Sequence, residues 1–207
     1  AVDDGAFDVA FERFQRASGL EPNHERRFED LLEAVKAGQE AGMPPEKLAE
    51  VATRATELEA NSREAQALAA RLWDDAGRPN KALPHYQWLY KVDPEDDKVG
   101  ARLGTLLLSE GRTGQARDVL EEVHKRAPER AVTGMKLAEA LEKLGEDERA
   151  EEVYETLLEE HPDRVGVLLR YARFLAAHGK RERARELQEK AGEVQPATEE
   201  REMRELR

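Results

Sequence analysis

The sequence predicts an all-α fold, a solenoid of antiparallel helix pairs with a capping helix at each end. Two observations carry this expectation. One is a 34-residue step at which glycine, alanine, proline and a further small residue recur in a single register through four copies. The other is composition: 38% of residues are charged and 39% apolar, and the apolar ones are spaced periodically rather than depleted, which favours long solvated helices over disorder.

Residues 1–22 open the chain with an amphipathic helix over 3–17, where Phe7, Phe11 and Phe14 fall at helical spacing. Such a helix either covers the first open face of the array or serves as a docking or dimerisation surface. Its charges are mixed rather than basic, which argues against a membrane-surface role. Residues 23–62 follow as an irregular helix pair. Asn23 suits the N-cap of a helix carrying Phe28, Leu31, Leu32 and Val35 that stops near Gly42. Pro44 and Pro45 suit the first turn of its partner, with Leu48, Val51, Ala52, Ala55 and Leu58 on one face.

Four regular units are predicted at 63–96, 97–130, 131–164 and 165–198. Gly77, Gly111, Gly145 and Gly179 end each first helix, where a left-handed residue is needed. Ala70, Gly104, Ala138 and Ala172 ahead of the turn, and Ala82, Ala116, Ala150 and Ala184 behind it, let the two helices approach closely. Pro94, Pro128, Pro162 and Pro196 close the units because proline cannot continue a helix. Leu103 and Leu107 on one first helix, with Leu120 and Val123 on its second, supply a core that Leu137, Leu141, Tyr154 and Leu157 repeat one unit later. Trp73 falls in an ordinary core column. The fourth unit weakens its core to Gln188 and Ala191. Beyond Pro196, residues 199–207 are predicted to form a short capping helix that begins near Thr198 and carries Met203 and Leu206.

The small, small and proline columns at this step resemble the tetratricopeptide-repeat family, whose units are 34-residue helix–turn–helix pairs. The resemblance covers residues 63–198 of the 207. It implies a right-handed superhelix whose first helices line a concave groove, a role in binding proteins or peptides, and no catalytic activity. The family's early aromatic column is missing, its places held by Gln66, Gly100, Gly134 and Leu168.

The remaining features narrow the function. A formal charge of −12 opposes general binding to nucleic acid, which basic stripes serve. No run approaches the roughly 18 apolar residues of a membrane span. Without cysteine, disulfides and thiolate metal sites are excluded, and the composition suits the cytosol or the periplasm. The chain opens at Ala1 without a Met, consistent with removal of a leader or neighbouring domain. There is no phosphate-cradling glycine loop, helical zinc-binding histidine pair or Ser-His-Asp arrangement. The five histidines, His24, His85, His124, His161 and His178, are far apart, and the last three sit near helix ends where surface imidazoles are ordinary. The 45 carboxylates read as solvated partners of nearby Arg and Lys. No catalytic, cofactor or metal residue is expected.

At positions that the resemblance places in the groove, Arg102, Lys136 and Arg170 recur at the 34-residue step and predict a basic row inside an acidic protein. Lys98 stands one turn before Arg102, and Arg173 close to Arg170. Ala101, Thr105, Leu108, Val132, Met135 and Leu169 lie beside the row. This predicts a partner that presents an extended or helical segment with acidic and apolar residues. Alternatively, the bases pair with acids such as Glu139 and Glu142. Lys98 with Arg102 is similar to the last part of the clamp by which some family members hold chaperone C-termini. Leu68 stands where that clamp needs Asn, so chaperone tails are disfavoured. A second candidate surface comprises Phe7, Phe11 and Trp88. Tyr86, Leu89 and Tyr90 are expected to face the core while Trp88 points to the convex side, either as an interface residue, where exposed Trp is enriched, or packed under the N-terminal Phe helix. The function expected is an interaction module or adaptor. The alternatives are a structural subunit that self-assembles through its ends or its N-terminal Phe helix, and the interaction segment of a larger signalling protein or enzyme.

Overall fold

The computed structural model describes residues 9, 11–13, 16–17, 19–20 and 23–205, with side chains as far as Val194. Phe7, Phe14 and Leu206, and the side chain of Met203, lie outside the described residues. The chain forms two compact units, Ala1–Glu110 and Gly111–Arg207. In the first, α1 (His24–Glu40) and α2 (Pro45–Leu58) make the irregular pair, α3 (Arg63–Asp75) and α4 (Pro79–Val92) the next, and α5 (Asp97–Ser109) packs on α4. The second contains α6 (Thr113–Arg126), α7 (Ala131–Leu144), α8 (Asp147–Glu160), α9 (Val165–Ala177) and α10 (Arg181–Glu205), each packed on the next. No strand occurs among the described residues.

Local chemistry sets the helix ends. Asn23 caps α1 by accepting the Arg26 N–H (3.2 Å), Ser62 caps α3 through the Ala65 N–H (3.3 Å), and Asp96 caps α5 through those of Lys98 and Val99 (both 3.1 Å). Pro45 and Pro79 begin α2 and α4, where a missing N–H costs nothing. At the end of α7, Gly145 takes φ 72°, its N–H bonds to the Glu142 carbonyl (3.1 Å), and the Glu146 N–H reaches back to Leu141 (3.0 Å). The irregular pair closes its first helix in the same way, with Gly42 N–H on Gln39 (3.1 Å) and Met43 N–H on Gly38 (2.9 Å). Nothing lies within 4 Å of where a Gly145 Cβ would stand, so the backbone alone opposes a side chain there. Gly145→Ala is therefore expected to lower stability by about 1 kcal/mol, read as a lower urea midpoint with unchanged slope.

Leu103, Leu107, Leu120, Val123, Leu137, Leu141, Tyr154 and Leu157 are all buried, as their spacing predicts. The Tyr154 ring stacks on Tyr171 (centroids 5.3 Å apart) and touches Phe174 (5.5 Å). Trp73 is buried in its core column; its indole N–H donates to Thr53 Oγ1 (2.8 Å) and the Lys81 ammonium lies 3.9 Å from its ring.

Several expectations need correction. Helix α10 runs unbroken through Pro196 to Glu205, so the separate C-terminal cap does not form. At the earlier prolines the preceding residue leaves the helix (ψ 85° at Asp93, 67° at Ala127, 61° at His161), because the chain turns there into another first helix. No further helix begins among the described residues after Pro196. The fourth unit's core is Ala184, Leu187 and Ala191, with Gln188 turned to solvent. Leu108, expected beside the groove, is buried, while Tyr86 and Tyr90 are only half-buried.

Candidate functional site

Helical spacing places Val132, Met135, Lys136 and Glu139 on one stripe of α7, at i, i+3, i+4 and i+7. Gly166, Leu169, Arg170 and Arg173 share the same spacing on α9. The two stripes adjoin: Met135 Sδ stands 4.0 Å from where a Gly166 Cβ would be, and Arg170 Nη1 lies 3.8 Å from Glu139 Oε2. Opposite these stripes, Leu137, Leu141, Leu168 and Leu175 are buried in the core. What remains outside is unusually apolar. Val132 is 57% exposed and Leu169 48%, with Met135 half-buried. Single exposed apolar residues are ordinary; two on one adjoining face, beside a flexible Met, form a surface suited to an apolar side chain.

Charge frames that surface. Glu139 Oε2 accepts from Lys136 (2.8 Å) and Oε1 from Lys143 (3.0 Å). Partial burial pushes the Glu139 carboxyl up, but the hydrogen bonds from the two lysines outweigh it and hold the group below the ordinary range. Arg173 is exposed and makes no ion pair among the described residues. Of the two acids expected to neutralise the row, Glu142 does not touch it; it accepts the Tyr154 O–H instead (2.7 Å).

The first unit presents different surroundings. Arg102 donates from Nε and Nη2 to both carboxylate oxygens of Asp74, a two-pronged arrangement that occupies its planar edge. Burial, and then the Asp74 charge, push the nearby Tyr86 hydroxyl up to about 12. The Thr105 hydroxyl donates to the Ala101 carbonyl of its own helix (2.9 Å). Lys98 remains exposed without an ion pair among the described residues.

In the other candidate surface Phe11 is committed to packing, and Phe7 lies outside the described residues. Phe11 is only 6% exposed, and its Cδ2 lies 3.0 Å from where a Gly38 Cβ would stand, with Leu48 Cδ2 at 2.3 Å. Its side chain belongs to the core of the first unit, which is the behaviour of a cap rather than of a free docking residue. Gly38, a glycine inside α1 two residues before its end, was the available signal of that close approach. Trp88 is half-buried.

Three of the histidines, His85, His161 and His178, hydrogen-bond within the fold. His85 Nδ1 donates to Gln66 Oε1 (2.7 Å), Gln66 Nε2 donates to the Ala60 carbonyl (3.0 Å), and burial holds the His85 pKa low. His124 is not a surface imidazole: it is half-buried, with Nδ1 lacking a partner. His161 Nε2 donates to the Glu129 carbonyl (2.6 Å). His178 Nδ1 meets the Phe174 carbonyl (2.8 Å) and Nε2 the Asp147 carboxylate (3.1 Å), two acceptors that only the imidazolium satisfies together. The Phe174 carbonyl first, and then Asp147, raise its pKa. A raised folded-state pKa contributes stability fully below about pH 6.5, lost as pH rises through the folded value. The thermal midpoint gap between wild type and His178→Gln should therefore be wider at about pH 5.5 than at about pH 8.5. Among the described residues, no cluster of three or more His, Asp or Glu could hold a metal, and no helix is long and apolar enough to cross a membrane.

A tetratricopeptide-repeat family model matches residues 74–132, 107–164 and 148–204, which together span 74–204 of the 207 residues. Solved structures show the same fold. MamA 41-end from Desulfovibrio magneticus RS-1 is 18% identical, with 82% of this chain and 96% of that one aligned and a TM-score of 0.72. YrrB, a TPR protein with an unusual peptide-binding site, is 17% identical, with 81% and 86% aligned and a TM-score of 0.69. No curated protein matches the sequence.

Proposed function

The chain belongs to the tetratricopeptide-repeat family of protein-interaction modules, and from that membership we propose that the α7–α9 face holds a partner segment bearing apolar and acidic side chains. The observation that carries this reading is the pair of exposed apolar residues, Val132 and Leu169, set among four bases, Lys136, Lys143, Arg170 and Arg173, in a chain of net charge −12. Within that face the acids are Glu139 and Glu142, and Glu142 is occupied by Tyr154. An apolar side chain of the partner would lie over Met135 and Gly166, where the missing Cβ leaves room, and its carboxylates would meet the bases. The peptide-binding site of YrrB supports a segment, rather than a folded domain, as the ligand.

The test is an affinity capture from native lysate with wild type and a Leu169→Asp, Arg173→Glu double variant. Both positions are exposed, so the variant should keep its helicity, which circular dichroism checks first. A partner held by wild type and reduced at least about tenfold by the variant is expected, as for loss of a central apolar anchor and a charge. Identical capture by both proteins would remove the α7–α9 face from consideration.

A further inference from the structure

Resting on that reading of the α7–α9 face, we propose that Glu139 is a built-in competitor of the partner: its carboxylate occupies the bases that an acidic side chain of the partner takes over. The geometry fits displacement rather than permanent pairing. Glu139 Oε2 lies 2.8 Å from Lys136 Nζ on its own helix but 3.8 Å from Arg170 Nη1 on the next. The second distance is beyond a hydrogen bond, so the guanidinium fork of Arg170 feels the charge without using its donors on it. Arg102 is the contrast, with two prongs committed to Asp74.

Accessibility agrees. The Glu139 side chain is 26% exposed, Lys136 28% and Arg170 38%, so an incoming carboxylate reaches all three without opening the core. Glu139 is also shared with Lys143 at 3.0 Å, and that lysine gives the carboxylate a position to retain when the other bases are taken. Each of these contacts is of the partly solvated kind that contributes little, so displacing them costs the partner a modest and tunable amount. The internal carboxylate thereby sets a threshold: neutral or weakly acidic segments do not dislodge it, whereas closely spaced carboxylates do.

Fluorescence anisotropy tests this with two labelled octapeptides, Asp-Leu-Glu-Leu-Asp-Leu-Glu-Leu and its amide counterpart Asn-Leu-Gln-Leu-Asn-Leu-Gln-Leu. Wild type, Glu139→Gln and Leu169→Asp are compared at about 0.05 M and about 0.3 M salt. Glu139→Gln should bind the acidic peptide about 3–10-fold more tightly than wild type, the gain one or two weak ion pairs allow. The gain should shrink at high salt and be absent for the amide peptide. Equal or weaker binding by Glu139→Gln, with binding still lost in Leu169→Asp, overturns the competitor and leaves the face standing. Absence of saturable acidic-peptide binding to both wild type and Glu139→Gln overturns the face and the competitor together.

Discussion

Leu141→Ala is expected to lower the free energy of unfolding by ~2–5 kcal/mol. Leu141 is 1% exposed and repeats the places of Leu107 and Leu175, which are 2% and 1% exposed. Truncation there removes three carbons from the buried face of α7, which also includes Leu137 and Ala138. The loss combines transfer of the side chain with a cavity that the neighbouring helices close only in part. Helix α7 packs on α6, α8 and α9, so a weakened α7 loosens most of the second unit rather than one pair. Urea unfolding followed by both circular dichroism and Trp fluorescence separates the units, because Trp73 and Trp88 both lie in the first. A destabilised circular-dichroism transition beside a less affected fluorescence transition is the expected signature. A change below about 0.5 kcal/mol would show that this column is not core.

The repeat was legible because each column answers to one physical demand: a left-handed residue at Gly145, close helix approach at Ala138, a chain reversal at Pro162. The same logic explains where it failed. Pro196 has the right spacing, but no further helix begins after it among the described residues, and α10 continues past it to Glu205. Leu187 rather than Gln188 is buried, on one helical stripe with Ala184 and Ala191, which spacing by the 34-residue step alone did not select. For the candidate face, the 34-residue step read through the family resemblance put Val132, Met135, Lys136, Leu169 and Arg170 together, and the α7 and α9 stripes that carry them adjoin. Spacing is silent on side-chain partners, so it did not distinguish Arg102, held by Asp74, from Arg173, which is unpaired among the described residues. Nor did it show Phe11 filling the space over Gly38, a contact between segments whose separation follows no repeat.

Gly134→Tyr, which restores the family's missing aromatic, is expected to destabilise the protein by ~3 kcal/mol or somewhat more, against the usual rule that consensus residues stabilise. A Cβ at residue 134 would stand 2.6 Å from Leu157 Cδ2, 3.1 Å from its Cγ and 3.2 Å from His124 Cε1. Two atoms of Leu157 are in the way, so rotating one methyl does not clear the space, and Leu157 is fully buried with nowhere to retreat. The space an aromatic would occupy is filled by Leu157 and the half-buried His124 ring, so glycine stands in the first turn of α7 despite a propensity cost of up to about 1 kcal/mol. Gly134→Ala isolates the steric part: that propensity gain is expected to be cancelled or exceeded by the displacement of Leu157. Coupling to Leu157 provides the decisive measurement. Leu157→Ala alone is expected to cost ~2–5 kcal/mol, but in the Gly134→Tyr background it opens room for the ring, so the double variant should be more stable than the sum of the two losses by at least about 1 kcal/mol. Strict additivity would mean that Leu157 is not what excludes the aromatic, and that the strain lies against His124 or the backbone of α7 itself.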